Sequence, residues 1–201
     1  MATDFVTATT KLQAVNVMLT NIGETPVASL EDEQVIDAAM AESILDNVTR
    51  ETQTQSWHWN TDIQIKLSRN LDDRIVLAPN VMRIAPSGVD SMLAVVQRGR
   101  YLYNRGSHSY TFDHDITCYV TIALPFDELP EVARRYVTLR SARMFQERMI
   151  SSDRLSQMDR IDEFKAYSDM LNEESKVGGY NALTGNFSAQ RIVNRYGFTG
   201  S

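Results

Sequence analysis

The hydrophobic period of this chain changes twice, and that limits what it can fold into. Before residue 60 and again after 130, apolar residues recur every three or four positions; between 63 and 124 they come in short, alternating runs. The first spacing makes one face of a helix and the second one face of a strand. The chain is therefore α+β, a four-helix bundle of two N-terminal and two C-terminal helices with a small antiparallel β lobe inserted and an extended arm at the end. The corresponding segments are 1–60, 61–126, 127–177 and 178–201. With 201 residues, 43% apolar and 23% charged, the chain has enough material for a sizeable core and is not globally disordered.

In the first segment, Thr10 and Gln13 have the spacing of a capping box. Leu12, Val15, Leu19 and Ile22 form a stripe, and Gly23 and Pro26 end the helix. A second helix is expected from near Asp32 to about Trp57, with Val35, Ala38, Ala39, Leu45 and Val48 inside. Glu31, Glu33, Asp37, Glu42 and Asp46 are expected largely outside. In the middle segment, Gln97-Arg98-Gly99-Arg100 between 92–96 and 101–103 signals a hairpin. Ile116, Cys118, Val120, Ile122 and Leu124 alternate with Thr117, Tyr119, Thr121 and Ala123, which describes a strand with one face on the core.

Pro130 suits the first turn of a third helix, whose stripe is Val132, Tyr136, Leu139, Ala142, Phe145 and Met149. The fourth helix is expected to bury Leu155, Met158, Ile161, Phe164 and Leu171. Residues 129–150 hold five arginines and two glutamates, and 151–176 seven acids and four bases, which suits an antiparallel pair. The last segment has five of the nine glycines, no acid, and Tyr180, Phe187, Arg191, Arg195, Tyr196 and Phe198. Disordered tails are usually poor in aromatics, whereas aromatics and arginines anchor interfaces.

Little here looks catalytic, and no cofactor or metal is expected. His58 lies between two tryptophans and reads as part of an aromatic closure of the second helix. His108, Asp113, His114 and Asp115 are the densest metal-capable set, but their spacing matches no familiar ligand pattern. Asp127, Glu128 and Glu131 suit a helix N-terminus, where acids are worth about 0.3–1 kcal/mol each. The lone cysteine, Cys118, reads as a small core residue in a chain with no disulfide. A net charge of −6 disfavours coating of nucleic acid, and neither a targeting peptide nor a membrane-length apolar run is legible, which points to a soluble, reducing compartment. Arg134, Arg135, Arg140, Arg143 and Arg148 form either a face paired with the acidic helix or a contact for an acidic neighbour or for phosphate.

Several strings resemble tail tubular protein A of short-tailed bacteriophages. They are Ala14-Val15-Asn16, Met18-Leu19, Ile22-Gly23-Glu24, Pro26-Val27 and Leu30; Trp57 with Asn60; and Asp127-Glu128-Leu129-Pro130-Glu131. Arg135-Tyr136, Ala142-Arg143-Met144-Phe145, and Gly178-Gly179-Tyr180-Asn181-Ala182-Leu183 with Gly185 follow in the family's order. The resemblance implies a non-enzymatic head-to-tail adaptor in the virion tail, assembled in the host cytoplasm. It implies a dodecameric ring that joins the portal protein to the tail-tube or nozzle protein and continues the channel for genomic DNA. Tail fibres are a further implied partner, and no membrane is. Under it, Arg134, Arg135, Arg140, Arg143, Tyr180, Phe187, Arg191, Arg195, Tyr196 and Phe198 would meet the portal or a neighbouring subunit. Arg98, Arg100, Tyr101, Arg105 and His108 would meet the tail tube. The alternative in a different class is an accessory glycan hydrolase using Asp113, Asp115 and Glu128. A DNA-associated factor is a third reading, one that requires salt-sensitive affinity.

Overall fold

The computed structural model describes residues 8–31, 36–149 and 153–177, without the side chains of 153–159 and 177. Helix α1, Lys11–Asn21, starts with the expected reciprocal cap. The Gln13 amide N–H donates to Thr10 Oγ1 at 3.2 Å, and the Thr10 N–H donates to Gln13 Oε1 at 2.9 Å. Gly23, at φ +84°, carries the chain out of the helix. Ala14, Val15, Met18 and Leu19 are buried, and Leu12 and Ile22 are half-buried. The Asn16 side chain donates to Val27 O and accepts from Val27 N, folding the following segment back along α1.

Helix α2, Ile36–Gln53, ends four residues short of the expected Trp57. Ser56 takes a left-handed φ of +61°, and the Trp57 indole N–H bonds back to Thr52 O at 2.7 Å, so side chains satisfy the carbonyls that a longer helix would have used. Residues 32–35, where the start was expected, lie outside the described residues. Ala38, Leu45 and Val48 are buried as expected, whereas Ala39 is exposed. Ala41 and Ile44 fill the core instead, because the buried arc of the helix centres on them.

Five strands follow. β1 (Thr61–Leu67), β2 (Val81–Pro86) and β5 (Ile116–Ile122) form an antiparallel sheet in the order β1-β5-β2. β3 (Val95–Arg98) and β4 (Tyr101–Asn104) form the expected hairpin, with Arg98 paired to Tyr101 across Gly99-Arg100. Gly99 sits at φ +59°, which a two-residue hairpin turn requires. A second hydrophobic cluster gathers here around Ile75, Leu77, Leu102, Phe112, Ile116 and Cys118. The alternation on β5 holds for Ile116, Cys118 and Val120, which are buried. Ile122 is only half-buried, while Thr121 is buried on the opposite face, where its hydroxyl meets Ser56 Oγ at 2.9 Å. β5 is the central strand, and the turn after α2 covers the second face of its C-terminal end.

Helix α3, Glu131–Met149, begins when Pro130 O accepts the Arg134 N–H, as a proline at a helix start permits. It packs on α1, on α2 and on α4, Asp153–Val177, and is buried around much of its circumference. Met149 is exposed at its end. The expected inner stripe of α4 is contradicted: Ile161 is 70% and Phe164 72% exposed, and Leu171 is also exposed. Ala166 and Met170 are buried in their place, beside Tyr167, because the helix turns that narrower side to α3. Leu155 and Met158 fall among the undescribed side chains.

Two amide side chains join the helical part to the strands. Buried Gln53 donates to Leu124 O at 2.9 Å and accepts from Leu124 N at 2.7 Å. The buried Asn60 side chain donates to Gln53 O and Ile122 O, and the Asn60 main-chain carbonyl accepts from Ile122 N. Both crossings of the chain between the two clusters are thereby pinned together.

Candidate partner-binding surfaces

The arginines of α3 divide by the direction in which their turn points them. Arg134 donates to Leu129 O at 2.7 Å, to Thr9 O at 2.8 Å and to Asp127 O. Glu131 accepts from the amide and hydroxyl of Thr9, and Asp127 accepts from the Lys11 amide. Arg134 and these acids therefore fasten the start of α1 to the start of α3. Arg143 bonds Glu163 of α4 at 2.5 Å and Glu147 at 2.9 Å, and Arg140 bonds Glu51 of α2 at 2.7 Å. The hydrogen bonds that Arg143 donates to Glu163 and Glu147 outweigh partial burial and hold its guanidinium above its ordinary pKa. Arg135 and Arg148 are exposed and form no ion pair with any described residue. Of the four α3 arginines expected at an interface, three are thus committed within the chain, and Arg135 faces outward.

The hairpin gathers a different surface. Arg98 lies over the Tyr103 ring at 3.6 Å, a cation–π contact worth about 0.5–1 kcal/mol when exposed. Tyr110 meets Tyr103 edge-on at 4.9 Å and Tyr101 at 6.3 Å between centroids. Arg98, Tyr103, Arg105 and His108 line one shallow hollow of about 330 Å³. Arg98, Arg100 and Arg105 are exposed and make no ion pair among the described residues. Four of the five residues expected here, Arg98, Tyr101, Arg105 and His108, share the aromatic face or the hollow, and Arg100 occupies the adjoining turn. Tyr103, which the sequence does not single out, lines the hollow between them, and Tyr110 packs edge-on against it. The alternation of Tyr101 and Tyr103 on β4 was the available signal.

The remaining candidates sit apart. His114 Nε2 meets Asp90 Oδ1 at 2.7 Å and its Nδ1 meets Asp113 Oδ1 at 2.6 Å. Asp90, only 4% exposed, also accepts the Thr117 amide at 2.8 Å. That amide, then His114, hold the Asp90 carboxyl below its ordinary range, and the bonds to Asp90 and Asp113 raise His114. Asp113 is lowered by His114, and Asp115 by the Arg69 amide, the reverse of what a glycosidase general acid needs. Glu128 lies in a 3-10 turn, Phe126–Glu128, just before α3. His108 stands with Arg98 and Arg105, and no three acids, histidines or cysteines among the described residues converge as a metal site would require. His58 bonds Glu174 of α4 at 2.5 Å, and the rings of its neighbours Trp57 and Trp59 stack parallel at 6.3 Å between centroids. Cys118 is fully buried, and burial pushes its thiol up to about 12, as expected of an inert core residue.

The sequence profile of the tail tubular proteins matches residues 12–180, from the first turn of α1 to beyond the end of α4. The chain belongs to the tail tubular protein family. A tail tubular protein is a structural component of the phage tail, which gives this chain its place in the virion. No curated protein matches the chain at a significant level. The match takes in both hydrophobic clusters and the amide junction of this tail tubular protein. Among the described residues no helix is long and apolar enough to cross a membrane. Tyr180, Phe187, Arg191, Arg195, Tyr196 and Phe198 lie outside the described residues.

Proposed function

We propose that this tail tubular protein is the head-to-tail adaptor, a ring of identical copies, twelve by resemblance, between the portal and the tail tube or nozzle. The ring continues the passage for genomic DNA. The observation that carries this reading is the family match over 12–180 in a chain with two separate hydrophobic cores, each with exposed arginines beside it that make no ion pair among the described residues. One subunit can then hold two different neighbours. The helical part, with Arg135 and the aromatic, acid-free segment 178–201, meets the portal. The hairpin face of Arg98, Arg100, Tyr101, Arg105 and His108 meets the tube, and its unpaired cations suit an acidic surface there.

Mixing the purified protein with its portal and imaging the product tests this directly. A ring seated on the portal is expected, and it should be lost on truncation after Gly179 and weakened by Arg135→Glu, whose side chain leaves the fold untouched. Arg134→Glu is a poor probe, since it would release the start of α1. A protein that never binds its portal, while well folded, would rule the adaptor out.

A further inference from the structure

Two helix faces that the described residues leave uncovered are short of charge. On α4, Ile161, Phe164, Ser168, Leu171 and Ser175 follow one another at three- and four-residue spacing, which places them along one face. All but Ser168, half-buried, are exposed. On α2, Ile36, Ala39, Met40, Ser43 and Asn47 do the same; all five are exposed, and Ile36 is 75% so. Arg50 closes that stripe at its C-terminal end. Both helices pack on α3. In a chain with 23% charged residues, two faces so short of charge with a large apolar side chain in each are unusual surface for a solitary molecule.

We propose that the α4 face of one copy docks on the α2 face of a second copy, head to tail. This deepens the ring reading and rests on it. The flanking charges select the pairing. At about 3.6 residues per turn, the nearest charges beside the α4 stripe are Arg160, which also reaches Glu147 at 3.5 Å, and Lys165; Glu174 and Lys176 come next, with Asp162 and Asp169 farther round. Beside the α2 stripe are Asp37, Asp46 and Glu51, of which Asp46 shares Lys11 and Glu51 holds Arg140. Joining α2 to α2 would set Asp37, Asp46 and Glu51 against one another with only Arg50 to offset them, and joining α4 to α4 would set Arg160 and Lys165 against themselves. Only α4 on α2 brings opposite charges to both flanks. Such a contact uses two different faces, so it can repeat from copy to copy and close a ring.

The test is sedimentation of the full chain and of two variants, Phe164→Asp and Met40→Asp, with circular dichroism to show that each stays folded. Both side chains are exposed, so neither change should disturb the core. Each variant alone is expected to lose self-association by about tenfold or more, about 1.4 kcal/mol. An equimolar mixture should form a one-to-one dimer and stop there, because only the intact α4 of Met40→Asp and the intact α2 of Phe164→Asp can meet. Variants that assemble like the unaltered chain, or a Met40→Asp variant that still pairs with itself, would overturn the proposal. So would an unaltered chain that stays monomeric, which would assign the stripes to segment 178–201 or to a foreign subunit. Portal binding by that monomer would leave the adaptor reading standing.

Discussion

His114 is held between two carboxylates, one of them buried, and its protonation decides how many of those bonds it can donate. Below its ordinary value of 6.5 the ring carries two N–H groups and serves both Asp90 and Asp113; once deprotonated it has one. Because its folded pKa is raised, its contribution is complete below 6.5 and is lost as pH rises through the raised value. Asp90 runs the other way, contributing above its ordinary 3.8 and losing that contribution as pH falls through its lowered value. His114→Gln should therefore lower the urea midpoint most under mildly acidic conditions, and the gap from the unaltered protein should close as pH rises. A gap independent of pH would show that the imidazole charge is irrelevant. Phe145, fully buried among the helices, supplies a test of packing: Phe145→Ala should cost about 3–5 kcal/mol in the same assay. At this scale Cys118 and Phe145 were legible from alternation and spacing, while Phe164 was not. Helix α4 has apolar residues on more than one side, and spacing alone does not say which side meets α3.

Among the elements, the hairpin and the junction carry the sharpest expectations. Gly99→Val forces a β-branched residue to a φ of +59°, which should cost about 1–2 kcal/mol. It should also broaden the amide signals of residues 98–105 in a two-dimensional NMR spectrum. Gln53→Leu keeps roughly the same volume but strands the N–H and C=O of Leu124, at about 1–3 kcal/mol for each group left without a partner. Calorimetry or urea unfolding would detect either loss. The order of helices and strands could be read from the two changes of hydrophobic period, and the cap at Thr10 from its spacing with Gln13. The end of α2 could not, because it is set by Trp57 and Asn60 reaching back across several residues, contacts that no local pattern announces.

For the whole molecule, the arginine-rich third helix divides its work. Most of it binds the chain to itself, and its outward remainder, with the hairpin arginines, is the surface we propose for neighbours. Arg98→Ala with Arg105→Ala should weaken attachment to an acidic tube surface and flatten its salt dependence, while the unfolding free energy falls by no more than about 1 kcal/mol, the worth of the Arg98–Tyr103 contact. Pull-down at two salt concentrations would show it. The charge split of the last two helices anticipated that they would pair. Which arginines stay free depends on the directions of single turns, and those follow only from the packed structure. The junction between the helical part and the strands has a further meaning for a particle that must survive outside its host. It is fastened by neutral amides, which neither counter-ions nor protons can prise apart. Dilution into fresh water or passage through brine would alter the grip of every charged surface on this subunit, yet the alignment of its two halves would stay as it was set at assembly.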